Sequence, residues 1–443
     1  MKLNNKGFAV SGIIYALMFL FIILIFATLG LLGSRKVVLD KYKKSTVNNL
    51  ENDYEVLSSA KIDRSGASTP VLANSMIPIV YNGSNWVKAE YINEYEQNWY
   101  DYSNKKWANA ALVKLNRYNT YLSSSAGTVI NSADILGYFV WIPRYKYILF
   151  NADYSNHING SQLINVAFED KNVYKATGVS NGEYLTHKAF NFGGKQLSGF
   201  WFGKFETTGS LTGITVLPNT TPIIDKTVKE MFDSVKNSGA LYGIGNSDFH
   251  MTKSSEWAAV AYLTNSIYGI GNTEVRKNAF NQNGFRTGCG SNTTSNAPRT
   301  AGCEMGFGSS STYPQSTTGN IYGVFDMSGG AWEYVMGVIN SSGGVPLYSN
   351  SGFTTSTMPE GKYYDVFASG TSSSDISRAT IGTATKETWG WFDDRTTLVV
   401  DDAPWQFRGG CRNDQNDVGI YSMSAETGAG NGSISFRTTL VTD

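Results

Sequence analysis

The stretch Thr318-Gly319-Asn320-Ile321-Tyr322-Gly323-Val324-Phe325-Asp326-Met327-Ser328-Gly329-Gly330-Ala331-Trp332-Glu333-Tyr334-Val335 decides how the body of the chain is read. Its glycines punctuate the backbone as turns do, and its last ten residues carry a helix signal that Asp326 or Ser328 would open. Two further helices are predicted over residues 224–238 and 253–264, the second with Ser254 and Ser255 as N-caps. Strand signals surround them. Gly199-Phe200-Trp201-Phe202-Gly203-Lys204-Phe205-Glu206-Thr207-Thr208 alternates as a strand does. Ile77-Pro78-Ile79-Val80-Tyr81, the turn Asn82-Gly83 and the return Trp86-Val87-Lys88-Ala89 read as a hairpin. Residues 265–315 are mostly Gly, Asn, Ser and Thr and read as loop. A few helices among many irregular strands predict an α+β body.

Composition narrows the function classes. The chain has 443 residues, 36 basic against 36 acidic, with 41% hydrophobic and 16% charged. Neutrality argues against nucleic acid as a partner, since phosphate binding needs a basic stripe. The length allows two or three domains with ample core, and three cysteines are too few for a disulfide scaffold.

The charge is unevenly placed. Residues 7–34 carry none and include Ile13-Ile14-Tyr15-Ala16-Leu17-Met18-Phe19-Leu20-Phe21-Ile22-Ile23-Leu24-Ile25-Phe26. About 20 apolar residues span a bilayer as a helix, whereas a removable signal has a shorter apolar core and a small-residue cleavage site. A retained transmembrane anchor is therefore expected, continued as an amphipathic helix through Val37, Val38, Tyr42, Val47, Leu50, Tyr54 and Leu57. Lys6-Gly7-Phe8 resembles the leader junction of type IV pilin-like proteins, which implies processing between Gly7 and Phe8; Gly12 stands where family members carry Glu. Arg35, Lys36, Lys41, Lys43 and Lys44 follow the span, which the positive-inside rule places in the cytoplasm. The Gly-, Ser-, Thr- and Tyr-rich body argues the other way, for export. Ser65-Gly66-Ala67-Ser68-Thr69-Pro70 breaks the helix, so three parts are expected: 1–64 anchor helix, 65–137 β-rich connecting region, 138–443 main domain.

The series from Gly199 to Thr208, then Ser255-Glu256-Trp257-Ala258-Ala259-Val260-Ala261-Tyr262-Leu263, then the stretch quoted first, then Phe407-Arg408-Gly409-Gly410 and Ser435-Phe436-Arg437, resembles the formylglycine-generating-enzyme (sulfatase-modifying-factor) version of the C-type lectin fold. Within it, the chain is similar to the variable proteins of diversity-generating retroelements, which present a randomised ligand-binding patch near the C-terminus. The resemblance implies an α+β C-type lectin domain behind the pilin-like helix, with a variable segment at 405–437. Phe407, Ile420, Ile434 and Phe436 would be its inward frame, with Arg408 and Arg437 pairing with buried acceptors. If Ile420 points inward, alternation sends Tyr421, Met423 and Ala425 outward. Gln406, Cys411, Arg412, Asn413 and Glu426 join them as the candidate binding surface; the plain alternative is that all are ordinary exposed loop residues.

The related enzymes oxidise a substrate cysteine and use a close cysteine pair after Arg-Gly-Gly. Cys411 follows that motif here, but no second Cys occurs beyond it. Cys289 and Cys303 share one loop; in an oxidising compartment a bridge closing about 15 residues would contribute roughly 3 kcal/mol, and otherwise they are two inert thiols. His157, His187 and His250 lack zinc-ligand spacing and read as structural or exposed, and Glu206, Glu256 and Glu333 as core carboxylates bonded to backbone or Arg. No cofactor is expected, and the sequence is silent on calcium and on other metals. The expectation is a membrane-anchored, exported, bacterial or phage-encoded protein. It would bind a protein or glycan ligand on another cell, a phage or a host surface, without catalysis and with other pilin-like subunits as candidate partners. A formylglycine-generating-type cysteine oxidase and a structural pilin-like subunit are the alternatives.

Overall fold

The computed structural model describes residues 63–153, 160–172, 177–245, 247–278, 285–289, 306–414 and 417–442. The chain divides into two compact units, Met1–Lys61 and Ile62–Asp443. The first lies outside the described residues.

The second unit is built mainly of strands. β1 (Met76–Tyr81) and β2 (Trp86–Lys88) pair antiparallel with Tyr81 opposite Trp86, as the hairpin signal requires. Asn82 closes the turn by accepting the backbone N–H groups of Ser84 and Asn85. β3 (Asn109–Val113) and β4 (Ile135–Pro143) continue the sheet; β5 (Tyr145–Ile148), β6 (Val166–Phe168) and β7 (Tyr184–Thr186) form a small separate one. β8 (Asn191–Phe192) and β9 (Lys195–Gln196) make a short ribbon. β10 (Gly199–Gly203) returns to the main sheet, and β11 (Thr208–Ser210) with β12 (Gly213–Thr215) is a second ribbon.

With β13 (Asp248–Met251) and β19 (Thr438–Val441), the main sheet runs β13-β19-β10-β4-β3-β1-β2, every neighbouring pair antiparallel. The C-terminal strand is thus inserted between two earlier ones. Residues 65–137 supply three strands of this sheet. β10 is buried throughout and β4 nearly so, so both sheet faces are covered, which is why their sequences read as apolar runs.

The second sheet is built around β14 (Trp332–Ile339). It pairs antiparallel with β16 (Trp405–Arg408) and parallel with β15 (Asp365–Phe367) and β18 (Ile434–Phe436); β17 (Met423–Glu426) adds to β16. Three α-helices stand among the described residues: α1 (Leu115–Leu122), α2 (Val228–Leu241) and α3 (Ser254–Thr264). A Thr227–Glu230 capping box opens α2, and Val228, Met231, Phe232 and Val235 bury one face of it. Every residue of α3 is buried. Tyr145 and Tyr421 donate their hydroxyls to the Ala259 and Ala261 carbonyls along it, and the Trp257 indole donates to Ile420 O.

Two expectations are corrected here. The helix expected over 326–335 is a turn followed by β14: Asp326, Gly329 and Gly330 have φ of 64°, 98° and 81°, which an α-helix cannot contain. The fold class with a long transmembrane, pilin-like helix is also overturned. The described chain is mostly β, and none of its helices is long and apolar enough to cross a membrane; the longest, α2, has 14 residues. α3, apolar from Trp257 to Leu263, is buried by protein. With no membrane-crossing helix among the described residues, the expected membrane-anchored, exported location is overturned as well; the segment that suggested the anchor, with Gly7 and Phe8, lies outside the described residues.

Candidate functional site

The Arg-Gly-Gly motif ends β16 in a tight reversal. Gly409 and Gly410 have φ of 90° and 78°, and a Cβ on Gly410 would lie 2.6 Å from Val418 Cα. Only glycine lets the following residues fold back on the strand. Around this turn the frame is fully buried. Arg437 donates to both carboxylate oxygens of Glu333 at 2.9 and 2.5 Å, and to the carbonyls of Gly203 and Phe325 at 2.9 and 3.0 Å. It therefore ties the strand pair β14–β18 to β10. Arg408 donates to Ala384 O at 3.1 Å, while its Nε and other terminal nitrogen find no partner; burial lowers its pKa to about 10. Arg437 pairs as the resemblance implied, and Arg408 only in part.

Of the eight residues expected to face solvent, four are buried. Gln406 is inside, accepting the Ser254 hydroxyl at 2.6 Å. Tyr421 is inside, its one hydroxyl proton shared between Asn265 Oδ1 at 2.8 Å and the Ala261 carbonyl at 3.1 Å, and its ring packed against Trp391 and Phe392. Met423 is inside with Ala379 and Leu398, and Cys411 beneath the turn. The alternation argument fails for a physical reason: residues 395–397 lie along β17, Met423 N donating to Arg395 O and Thr397 N to Met423 O. That pairing brings the neighbouring chain over the segment, so that Trp391 and Phe392 cover Tyr421 while Ala379 and Leu398 cover Met423. Arg412 is half-buried, its guanidinium 4.7 Å from the centre of the Phe285 ring, and Asn413 is exposed. Ala425 and Glu426 are half-buried, Ala425 against Ile339, Phe367 and Val399.

Beneath the motif sit three buried carboxylates. Glu206 accepts Ala331 N–H at 2.6 Å, and Asp326 accepts Gly288 N–H at 2.7 and 3.0 Å. Burial, reinforced by Asp326 and Glu333 nearby, holds Glu206 well above the usual carboxylate range; burial also raises Glu333 against the opposing pull of Arg437, and Asp326 is pushed up to about 7. A carboxyl raised in the folded state binds its proton more tightly there than in the unfolded chain. Its contribution is therefore complete below the unfolded value near 4 and lost as pH rises through about 7. Between pH 5 and 8, Asp326→Asn should lose less stability than wild type, by roughly 1–3 kcal/mol in urea titrations at the two pH values. Equal slopes would place the proton elsewhere.

Among the histidines, His250 is buried between Asp248 at 3.1 Å and Glu256 at 3.0 Å. Burial alone would lower its pKa, but these carboxylates raise it. His187 is buried among aromatic rings and lowered to about 3 by burial; His157 lies outside the described residues. The isolated Glu256 and His250 signals in the sequence were one buried cluster, which the strand β13 and the start of α3 bring together.

Cysteine chemistry finds little support. Cys411 is a free, buried thiol, pushed up to about 12 by that burial, so almost no thiolate exists at neutral pH. Cys289 is disulfide-bonded; its expected partner Cys303 lies outside the described residues. No group of three or more His, Cys, Asp or Glu among the described residues is placed to hold a metal. Sequence reasoning also missed a cleft of about 620 Å³ whose walls include Tyr100, Glu169 and Ser198, and no residue of 405–437 lines it.

No protein-family model and no curated protein matches the chain. A solved structure, PvdO from Pseudomonas aeruginosa, aligns with 72% of this chain and 100% of its own at 11% identity and a TM-score of 0.31. That similarity is too low to assign a fold or a function.

Proposed function

We propose that this chain recognises a protein or glycan ligand, without catalysis, through the loop that follows Arg-Gly-Gly. The observation that carries the reading is the contrast within one short segment. Trp405, Phe407, Arg408, Ile434, Phe436 and Arg437 are buried, whereas Arg412, Asn413 and Asp417 reach solvent immediately beyond a glycine turn. Backbone bonds tie down the described residues of the loop: Arg412 N donates to Gly330 O at 2.8 Å, Asp414 N to Cys411 O and Asp417 N to Asp414 O. Outward side chains can then change while the frame stays fixed, which is what the resemblance to variable proteins requires. Binding loops on a rigid scaffold are the usual arrangement for adaptable recognition. The lone, protonated Cys411 thiol supports the non-catalytic reading.

The test is the double variant Arg412→Ala with Asn413→Ala, compared with Tyr421→Phe, on a glycan array and against a panel of bacterial cells and phage particles. The loop variant should keep its melting temperature and lose at least about tenfold in binding to whichever target the wild type selects, equivalent to about 1.4 kcal/mol. Tyr421→Phe should bind as wild type does. Unaltered binding by the loop variant would sink the assignment. A near-copy of the coding segment for 405–437 beside a reverse transcriptase should differ at adenines in the codons of Arg412 and Asn413, and leave those of the buried frame intact.

A further inference from the structure

Two of the buried acids beneath the Arg-Gly-Gly turn each hold one support of Arg412. Glu206 accepts the N–H of Ala331 at 2.6 Å, and the carbonyl of the same peptide unit, Gly330 O, accepts Arg412 N–H at 2.8 Å. A peptide unit is planar and rigid, so a shift at the buried carboxyl is passed directly to the loop backbone. Asp326 holds the other support. The Gly288 N–H points between its two oxygens, 2.7 and 3.0 Å away, and Gly288 belongs to the segment whose Phe285 ring centre lies 4.7 Å from the Arg412 guanidinium. That segment is otherwise pinned at Thr287, whose N–H donates to Thr220 O at 3.0 Å and whose carbonyl accepts Asn219 N–H at 2.7 Å. Backbone and side chain of Arg412 thus lead back to two different buried acids.

The surroundings hold more acid than base. Glu206 and Asp326 crowd one spot: a Cβ on Gly330 would lie 2.6 Å from Glu206 Oε1 and 3.6 Å from Asp326 Cβ. Glu333 on β14 is the third acid, and Arg437, just after β18, is the base that faces them. Arg437 has four hydrogen bonds already placed, two on Glu333 and one each on the Gly203 and Phe325 carbonyls, so Glu333 is the acid that keeps its charge. The bases on neighbouring segments are bonded elsewhere: Lys204 to Asn109 Oδ1 and the carbonyls of Ile321 and Gly323, Arg408 to Ala384 O, Arg286 to Asn219 O and Lys277 to Glu274. Asn278, which also touches Asp326, is neutral. A second negative charge in this dry place has no cation to meet it, which is why burial and crowding push Asp326 up to about 7 and hold Glu206 well above the usual carboxylate range.

An opening that wets Asp326 must break its bond to Gly288, and in water the carboxyl returns to its ordinary value of about 4. The closed form binds the proton more tightly than the open one. Closure is therefore fully supported below about pH 4 and loses that support as pH rises through about 7. We propose that these buried acids form a proton-dependent latch on Arg412, which seats the loop after Arg-Gly-Gly at mildly acidic pH and loosens it in alkaline solution. The latch rests on the reading of this loop as the recognition element and adds the regulation of that element.

Hydrogen exchange on the full chain, corrected for the intrinsic pH dependence of amide exchange, reads the latch without any ligand. The amides of Gly288, Ala331 and Arg412 should lose about tenfold in protection between pH 6 and pH 8, as expected for a carboxyl at about 7 when closed and about 4 when open. At both pH values they should stay less protected than the amides of the central strand β3, which marks a local opening. Asp326→Asn should keep their protection constant over the same range. Should that variant fail to fold, the wild-type profile decides alone. Flat protection in wild type, an equal fall in wild type and Asp326→Asn, or loop amides as protected as those of β3, which would mean that they open only with the whole unit, would each overturn the latch. Because exchange uses no ligand, a failed latch is told apart from a failed recognition loop, which shows as unaltered binding by the Arg412→Ala with Asn413→Ala variant.

Discussion

Replacing Arg437 by methionine should cost the second unit about 3–5 kcal/mol, read as a lowered urea midpoint with an unchanged slope. The size follows from what remains behind. Glu333 is fully buried and receives two of the four guanidinium hydrogen bonds; without them it must either stay ionised in a dry site or take up a proton. The carbonyls of Gly203 and Phe325 lose their Arg437 donors in the same step. Methionine fills much of the volume, so the loss reports charge and hydrogen bonding more than a cavity. Adding Glu333→Leu to Arg437→Met should recover a large part of the stability, because two apolar groups of similar size need no partner. The double-mutant cycle should give a coupling of about 2 kcal/mol or more. Equal losses in the single and double variants would mean that the strand contacts, not the ion pair, hold β14 to β10.

The same region shows what could be read in advance. Phe407, Ile420, Ile434 and Phe436 are buried as the motif implied, because large apolar side chains in a short segment have few other places to go. Tyr421 and Met423 were misplaced because alternation predicts a wet face only when one side of a strand is open. Here the cover comes from residues 391–398, and nothing in 405–437 announces them. Helix and buried strand were also confused at Ala331-Trp332-Glu333-Tyr334-Val335. A short apolar run is compatible with both, and the glycine pair before it was the signal that should have decided.

Sites assembled from distant segments were least legible. The cleft draws on residues near 66, 95, 169 and 198, which the sequence offers only as a hinge and as separate turns and strand ends. The Arg144–Glu169 pair joins residues on opposite sides of a strand register, Tyr145 facing Phe168, that only the folded sheet reveals. Glu206 and Glu333 were read correctly as core carboxylates, since one accepts backbone and the other Arg437, but their crowding with Asp326 could not be measured from spacing.

Gly329→Ala should be as damaging as loss of the ion pair, at least about 3 kcal/mol, and should also disturb the recognition loop. Its φ of 98° is strained for any residue with a side chain, and the added Cβ would sit 2.3 Å from the carbonyl oxygen of Asn278. That obstacle is backbone, so it cannot swing aside as a flexible side chain would. Gly329 N donates to Gly409 O at 3.0 Å, and Gly330 N donates to Asn278 O at 3.1 Å. Moving Asn278 or Gly329 therefore pulls on the Arg-Gly-Gly turn itself, and through Gly330 O on the backbone of Arg412. Gly330→Ala offers the contrast: its Cβ would meet the Glu206 carboxylate at 2.6 Å, a side chain that can shift at the expense of its bond to Ala331 N. The first variant should lose both melting temperature and ligand binding, the second mainly some stability. Were Gly329→Ala to melt like wild type while losing binding, the turn would be coupled to the loop without supporting the fold, and the rigid frame on which adaptable recognition rests would have to be sought elsewhere.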